Sequence, residues 1–100
     1  MPYPDRLAVD GYVIDALMPD LVGHDRRASA FIVYLYLWRR TRGGAQTAVV
    51  SHGAMADGTG LAKRSVQTAF QHLLRRGLIK TKRSTSTSAP VVTLFCEWRH

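Results

Sequence analysis

The residues with the most specific chemistry lie on one face of the segment between positions 62 and 77. At about 100° per residue, a helix there separates an apolar side from a polar side. The apolar side consists of Val66, Ala69, Phe70, Leu73 and Leu74. The polar side and the first turns carry Lys63, Arg64, Ser65, Gln67, Thr68, Gln71, His72 and Arg75. Guanidinium groups suit phosphate oxygens and the guanine edge, and side-chain amides suit adenine. The pattern predicts a helix that packs on one face and binds a ligand on the other.

The distribution of charge indicates an anionic partner. The chain has 100 residues, with 14 Lys and Arg against 7 Asp and Glu, a net charge of +7. Residues 1–25 contain Arg6 and five aspartates, whereas residues 26–100 contain 13 basic residues against Asp57 and Glu97. Eleven of the 14 basic residues are arginine. This asymmetry favours nucleic acid, ahead of an acidic protein or a membrane surface, and a merely soluble basic surface is the simplest alternative.

Composition excludes several classes of protein. With 46% apolar and 21% charged residues, the chain is typical of one folded soluble domain. The longest apolar run, Phe31–Trp38, spans eight residues, and a membrane-spanning helix needs about 20. The start of the chain shows no secretory signal, and the single cysteine, Cys96, cannot form an internal disulfide. We therefore expect a cytoplasmic protein.

Motifs for catalysis or for cofactor binding are incomplete. The segment Gly58–Lys63 begins like a dinucleotide-binding loop but lacks its last glycine, and Thr59 stands where a phosphate-binding loop needs lysine. The four histidines and Cys96 have no paired metal-ligand spacing. We expect no enzymatic activity, no cofactor and no metal, and the sequence indicates no small-molecule ligand.

The elements that hold the polar-faced helix follow from caps, turns and periodicity. Residues 1–10 form an arm, and Gly11–Val22 a short amphipathic helix that Pro19 would break or kink. Asp25 is the expected N-cap of a long helix that reaches about Arg42 and ends at Gly43-Gly44. After it we expect a strand at Thr47–Val50, a short helix from the Ser51 cap to Asp57 and a turn at Gly58-Thr59-Gly60. The next helix should run from Ala62 or Lys63 to Arg76 and be closed by Gly77. Two strands, Leu78–Arg83 and Val91–Trp98, should follow, joined by a polar mobile loop at Ser84–Pro90.

The long helix is apolar on two sides. One stripe consists of Ala28, Phe31, Ile32, Leu35 and Trp38, and the opposite one of Ala30, Val33, Tyr34 and Leu37. Either the N-terminal helix or a second copy of the chain must cover the second face. We expect a homodimer, with Tyr12, Ile14, Leu17, Tyr34 and Leu37 at its interface. Arginines 39, 40 and 42 follow at the helix end, where the helix dipole favours cations without any ligand. The aromatic residues Phe31, Trp38, Phe70, Phe95 and Trp98 fit core positions.

The segment Ser51–Gln67 resembles the helix-turn-helix signature of bacterial winged-helix proteins. Met55-Ala56 stand before the turn, Gly60-Leu61 follow it, and a basic-Ser-Val sequence opens the next helix. The exit Leu73–Ile79 is similar to the segment by which such domains enter the wing. The resemblance covers residues 26–98. It is closest to small bacterial and phage regulators and to phage or plasmid replication-initiation proteins, and more distant from the MarR and GntR groups.

The resemblance implies a mainly α fold with a small β-hairpin. This winged helix-turn-helix would have a three-helix core and a wing sheet of two or three strands, with an arm and short helix in residues 1–24 and the domain itself in residues 25–100. Expected contacts to double-stranded DNA are Lys63, Arg64, Ser65, Gln67, Thr68, Gln71 and Arg75 from the recognition helix, Ser51 and His52 from the helix before it, and Lys80, Lys82, Arg83, Ser84 and Thr85 from the wing.

The function implied is sequence-specific binding of DNA in transcriptional regulation. One alternative is a DNA-binding module for replication initiation. Another is a winged helix used as a protein-interaction domain, with the apolar long helix as its functional surface. A role in RNA binding is a weaker third, since no stacking platform is evident.

Overall fold

A computed structural model describes residues 6–82 and 89–99. The elements in chain order are two π-helical segments, π1 (Val13–Leu17) and π2 (Pro19–His24), then α1 (Ala28–Arg40), β1 (Ala48–Val49), α2 (His52–Thr59), α3 (Lys63–Arg75), β2 (Ile79–Lys82) and β3 (Val91–Leu94). The predicted class, mainly helical with a small sheet, is confirmed. The order of elements is compatible with a winged helix.

The sheet is antiparallel and has three strands in the order β1-β3-β2. Ile79 pairs with Leu94 and Lys82 with Val91 along the hairpin, and Ala48 pairs with Val92 on the other side of β3. All three strands are shorter than predicted. In β3, residues 95–99 leave the ladder after the Phe95 N–H donates to the Leu78 carbonyl (2.9 Å). The prediction of a mobile loop falls largely on positions 84–88, which lie outside the described residues.

The turn between α2 and α3 begins later than expected. The Ser51 cap is confirmed, since its Oγ accepts from the Ala54 N–H at 3.0 Å. The prediction of a turn at Gly58-Thr59 is wrong, because both residues continue α2, which ends at Gly60 with φ +80°. At the end of α3 the predicted glycine cap is confirmed: Gly77 has φ +71°, and the Leu78 N–H bonds to the Leu73 carbonyl at 3.1 Å.

The prediction of Asp25 as the N-cap of α1 is wrong. The cap position is Arg27, whose side chain makes no capping hydrogen bond, and Arg26 before it has φ +55°. The Asp25 carboxylate instead accepts hydrogen bonds from His72 and Arg76. At the other end α1 stops at Arg40, and Thr41 Oγ1 donates to the Leu37 carbonyl at 2.8 Å.

The N-terminal segment is helical, as predicted, but its turns are wide. The Asp25 N–H bonds to the Asp20 carbonyl five residues back. Pro19 does not break the segment, because it occupies the first turn of π2, where no N–H is needed. Val13, Leu17 and Leu21 recur every four residues and are buried.

The core lies between the N-terminal segment, the three α-helices and the sheet. Val33, Tyr34, Leu37 and Trp38 of α1 are fully buried within the single chain. The second apolar face of α1 is therefore covered by the chain itself, which was one of the two arrangements expected. No helix in the described part of the chain combines the length and the apolar character needed to cross a bilayer.

Candidate nucleic-acid interface

The polar side of α3 faces solvent along most of the helix, and His72 on that side is half-buried where it bonds to Asp25. Six of the seven predicted contact residues on α3 are exposed, namely Lys63, Arg64, Gln67, Thr68, Gln71 and Arg75, and Ser65 is half-buried. Val66, Ala69, Phe70 and Leu73 fix the opposite side in the core. The 13 residues of α3 span about 20 Å at 1.5 Å per residue. The helix thus presents a rigid row of donors and cations.

The two predicted contacts in the helix before it have structural roles as well. Ser51 is exposed, but its hydroxyl caps α2. His52 is half-buried and meets the Phe70 ring edge-on, with centroids 5.2 Å apart and planes at 69°. The Ser51 hydroxyl thus stabilises the start of α2, and the His52 ring packs that start against α3. Their contact with DNA stays a prediction.

The wing contributes two lysines to the described surface. Lys80 and Lys82 are exposed and lie two residues apart on β2, hence on one face of the strand. The Lys80 ammonium is 4.7 Å from the centroid of the Phe95 ring, a cation–π contact that orients it. Arg83, Ser84 and Thr85, the other predicted wing contacts, lie outside the described residues.

The acidic N-terminal segment is bound to two arginines away from the start of α3. Asp10 accepts from Arg99 Nε at 2.6 Å and from Trp98 Nε1 at 2.8 Å, and these hydrogen bonds lower the pKa of Asp10. Asp20 pairs with Arg76, whose pKa this contact raises.

Asp25 joins the N-terminal segment to the C-terminal end of α3. Hydrogen bonds first from His72, at 2.7 Å, and then from His24 and Arg76 hold the pKa of the Asp25 carboxyl far below its usual range. Its side chain is only 8% exposed. Sequence reasoning missed this cluster, because the histidine and the arginine stand 47 and 51 positions from Asp25.

In the part of the chain that the structure describes, the cations among the predicted DNA contacts of α3 and β2 have no such partners. Among residues 6–82 and 89–99, no carboxylate forms an ion pair with Lys63, Arg64, Lys80 or Lys82. Arg75 contacts the His72 Nδ1 atom at 3.4 Å and no carboxylate within the same ranges. The pairing of aspartates with Arg76 and Arg99 therefore leaves the positive charge of α3 and β2 uncompensated.

One described group resembles a metal site in its composition. Oxygen or nitrogen atoms of Asp20, His24 and Asp25 lie within 4.8 Å of one another. The Arg76 guanidinium binds both carboxylates, so a protein group already neutralises part of their negative charge. The expectation of no metal stays a prediction.

The residues predicted at a dimer interface divide into two groups. Leu17, Tyr34 and Leu37 are buried in the core of one chain. Tyr12 and Ile14 are 46% and 42% exposed. Of the five, only these last two have surface left for a second copy, and the homodimer itself stays a prediction.

The aromatic residues also divide. Phe31, Trp38 and Phe70 are buried, as expected of core residues. Phe95 and Trp98 are half-buried. They line a small open cleft of about 160 Å³, together with Tyr12, Leu17, Asp20, Arg76, Leu78 and Glu97. The Tyr12 ring stacks on Trp98 at 4.5 Å there.

Comparison of the chain with protein-family models gives no match. Comparisons with curated proteins and with solved structures give none either. The functional assignment therefore depends on the charge, exposure and geometry of the residues described above.

Proposed function

We propose that this chain is a winged helix-turn-helix protein that binds double-stranded DNA in a sequence-specific manner and regulates transcription in the bacterial cytoplasm. In this proposal α3 enters the major groove, and the β2–β3 hairpin is the wing that follows the backbone. The order helix, strand, helix, short turn, helix and hairpin supports it.

The observation that carries the proposal is the separation of charge. Aspartates of the N-terminal segment bind Arg76 and Arg99, while Lys63 and Arg64 in the first turn of α3 stay exposed and free of carboxylates within the described ranges. A helix N-terminus carries positive partial charge, so the two effects add at the end of α3 that would approach phosphates.

The exposed face of α3 also carries side chains that can distinguish between bases. Arg64 offers a planar fork that fits the two acceptors of guanine, and Gln67 and Gln71 offer amides that fit adenine. All three are exposed on α3. Lys80 and Lys82 on the wing would contact the backbone and contribute affinity without sequence preference.

The test is fluorescence anisotropy with random-sequence duplex DNA over a series of salt concentrations. A plot of log affinity against log salt should fall with a slope of about −0.9 per phosphate contacted, with about four or more contacts. Absence of binding at about 50 mM salt, where screening is weak, would overturn the proposal and favour a protein-interaction domain. A single-stranded DNA of the same length and composition is the control for non-specific attraction.

A further inference from the structure

A tyrosine of α1 lies directly on α2. Gly58 provides the space: a Cβ atom at this position would overlap the Tyr36 ring, lying 2.8 Å from its Cζ and 3.0 Å from its hydroxyl oxygen. The Tyr36 hydroxyl points to the first turn of α2, where it donates to the Ala54 carbonyl at 3.5 Å. The end of α1 is thus fixed relative to α2.

This tyrosine holds an arginine. Arg40 Nε donates to the Tyr36 hydroxyl at 3.2 Å, and the Arg40 guanidinium carbon lies 5.3 Å from the centroid of the same ring. Arg40 is exposed, and among the described residues no carboxylate pairs with it, Asp57 of α2 included. Its two Nη groups therefore remain available as donors in an oriented guanidinium.

Arg40 lies close to the expected DNA contacts at the start of α2. Ala54 stands three residues after Ser51 and two after His52, the expected DNA contacts at the start of α2. Through Tyr36, the Arg40 cation is held beside that same turn. A helix-end arginine that only balanced the helix dipole would need no such support.

We propose that Arg40, positioned by Tyr36, binds a phosphate of the DNA duplex and extends the interface from α3 and the wing to the end of α1. The inference depends on the proposed DNA binding. It makes Arg40 a backbone contact and Tyr36 a positioning residue.

The test compares Arg40→Ala with Arg27→Ala by the same anisotropy salt series. Arg27 is an exposed arginine at the N-cap of α1, so its removal changes net charge equally at a site about 20 Å along the helix. Arg40→Ala should reduce the salt slope by about 0.9 and weaken binding about eightfold at about 0.1 M salt, for all sequences alike. Arg27→Ala should change the slope by much less.

A second variant tests the positioning role. Tyr36→Phe keeps the ring but removes the hydroxyl that accepts from Arg40, so it should lower the salt slope by part of the Arg40→Ala effect with an unchanged circular dichroism spectrum. If Arg40→Ala does not fold, Arg40→Gln is measured in its place.

The outcomes separate the two proposals. An unchanged slope in Arg40→Ala, or an equal fall in Arg27→Ala, overturns the phosphate contact and leaves DNA binding intact. A wild-type protein that does not bind duplex DNA overturns both.

Discussion

Replacing Gly58 by alanine tests the contact between α1 and α2. In an exposed helix, alanine is more favourable than glycine by up to about 1 kcal/mol. Gly58 lies inside α2, so propensity alone predicts that Gly58→Ala stabilises the protein. The Tyr36 ring, which the new Cβ would overlap, predicts the opposite.

The loss in free energy of unfolding caused by Gly58→Ala follows from the contacts that Tyr36 would lose. To clear the new methyl group, the ring must move off α2 and give up its packing and its hydrogen bonds to Ala54 and Arg40. Overpacking of this kind costs about 1–3 kcal/mol. With about 2 kcal/mol lost and about 1 kcal/mol gained from propensity, Gly58→Ala should destabilise the fold by about 1 kcal/mol. In a domain of this size that lowers Tm by about 4–8 °C.

The assay is thermal and urea unfolding followed by circular dichroism, with Gly53→Ala as the matched control. Gly53 lies in the same helix, and a Cβ there would meet only Ser51 Oγ, at 3.9 Å. Gly53→Ala should be neutral or stabilising. Equal or greater stability of Gly58→Ala relative to Gly53→Ala would refute the close approach of Tyr36.

Three further predictions concern acid stability, readout and assembly. Because the pKa of Asp25 is lower in the folded than in the unfolded state, its contribution to the free energy of unfolding is present above about pH 4 and is lost as pH falls below that value. In thermal melts from pH 6 to 3, Asp25→Asn should therefore lose less stability on acidification than the wild type. Parallel curves of Tm against pH for the two proteins would contradict this. Arg64→Ala should reduce the discrimination between bases by about 1–3 kcal/mol. Lys82→Ala should weaken binding to all DNA sequences alike and flatten the salt slope in anisotropy. Equal effects of both variants on all sequences would argue against Arg64 as the base contact and Lys82 as the backbone contact. Sedimentation velocity should show a homodimer that Ile14→Ser converts to monomers, and a monomeric wild type at high micromolar concentration would exclude it.

Local signals predicted α3 well. Its apolar residues repeat with helical period, and a glycine follows its last turn, so both the packed face and the end were readable from the sequence. The Ser51 cap was readable for the same reason, since the acceptor and the donor lie three residues apart. The exposed face of α3 follows directly from this periodicity.

Contacts between positions far apart in the sequence could not be predicted from local patterns. Asp25 is a good helix cap by residue type, but carboxylates also bind imidazole and guanidinium groups, and the structure provides the first from α3 and the second from the residue that follows it. Gly58 is typical of a turn, yet the tyrosine that needs its small size is 22 positions earlier. In both cases tertiary contacts decided between two local conformations that the residue type allows equally.

The same limit applies to the candidate site. The contacts on α3 and β2 were predicted because they lie on regular elements, and most of them are exposed. The proposed role of Arg40 was not predicted, because the helix dipole alone is a sufficient local explanation for three arginines at a helix end. The contact with Tyr36 is a tertiary feature that the sequence around Arg40 does not show.

Both tryptophans donate hydrogen bonds from their indole groups to the N-terminal part of the chain, so intrinsic fluorescence can report on the docking of that part. Trp38 donates to the Ala8 carbonyl at 2.9 Å and Trp98 to the Asp10 carboxylate at 2.8 Å, so each fluorophore is bonded to a different residue at the end of the arm. Emission therefore reports whether the N-terminal segment is docked, while far-ultraviolet dichroism reports the helices. The hydrogen bond between Asp10 and Trp98 joins positions 88 residues apart. Closing so long a loop is entropically costly, so the emission shift should precede the loss of helix on heating and reveal an opening step local to the arm and to residues 95–99.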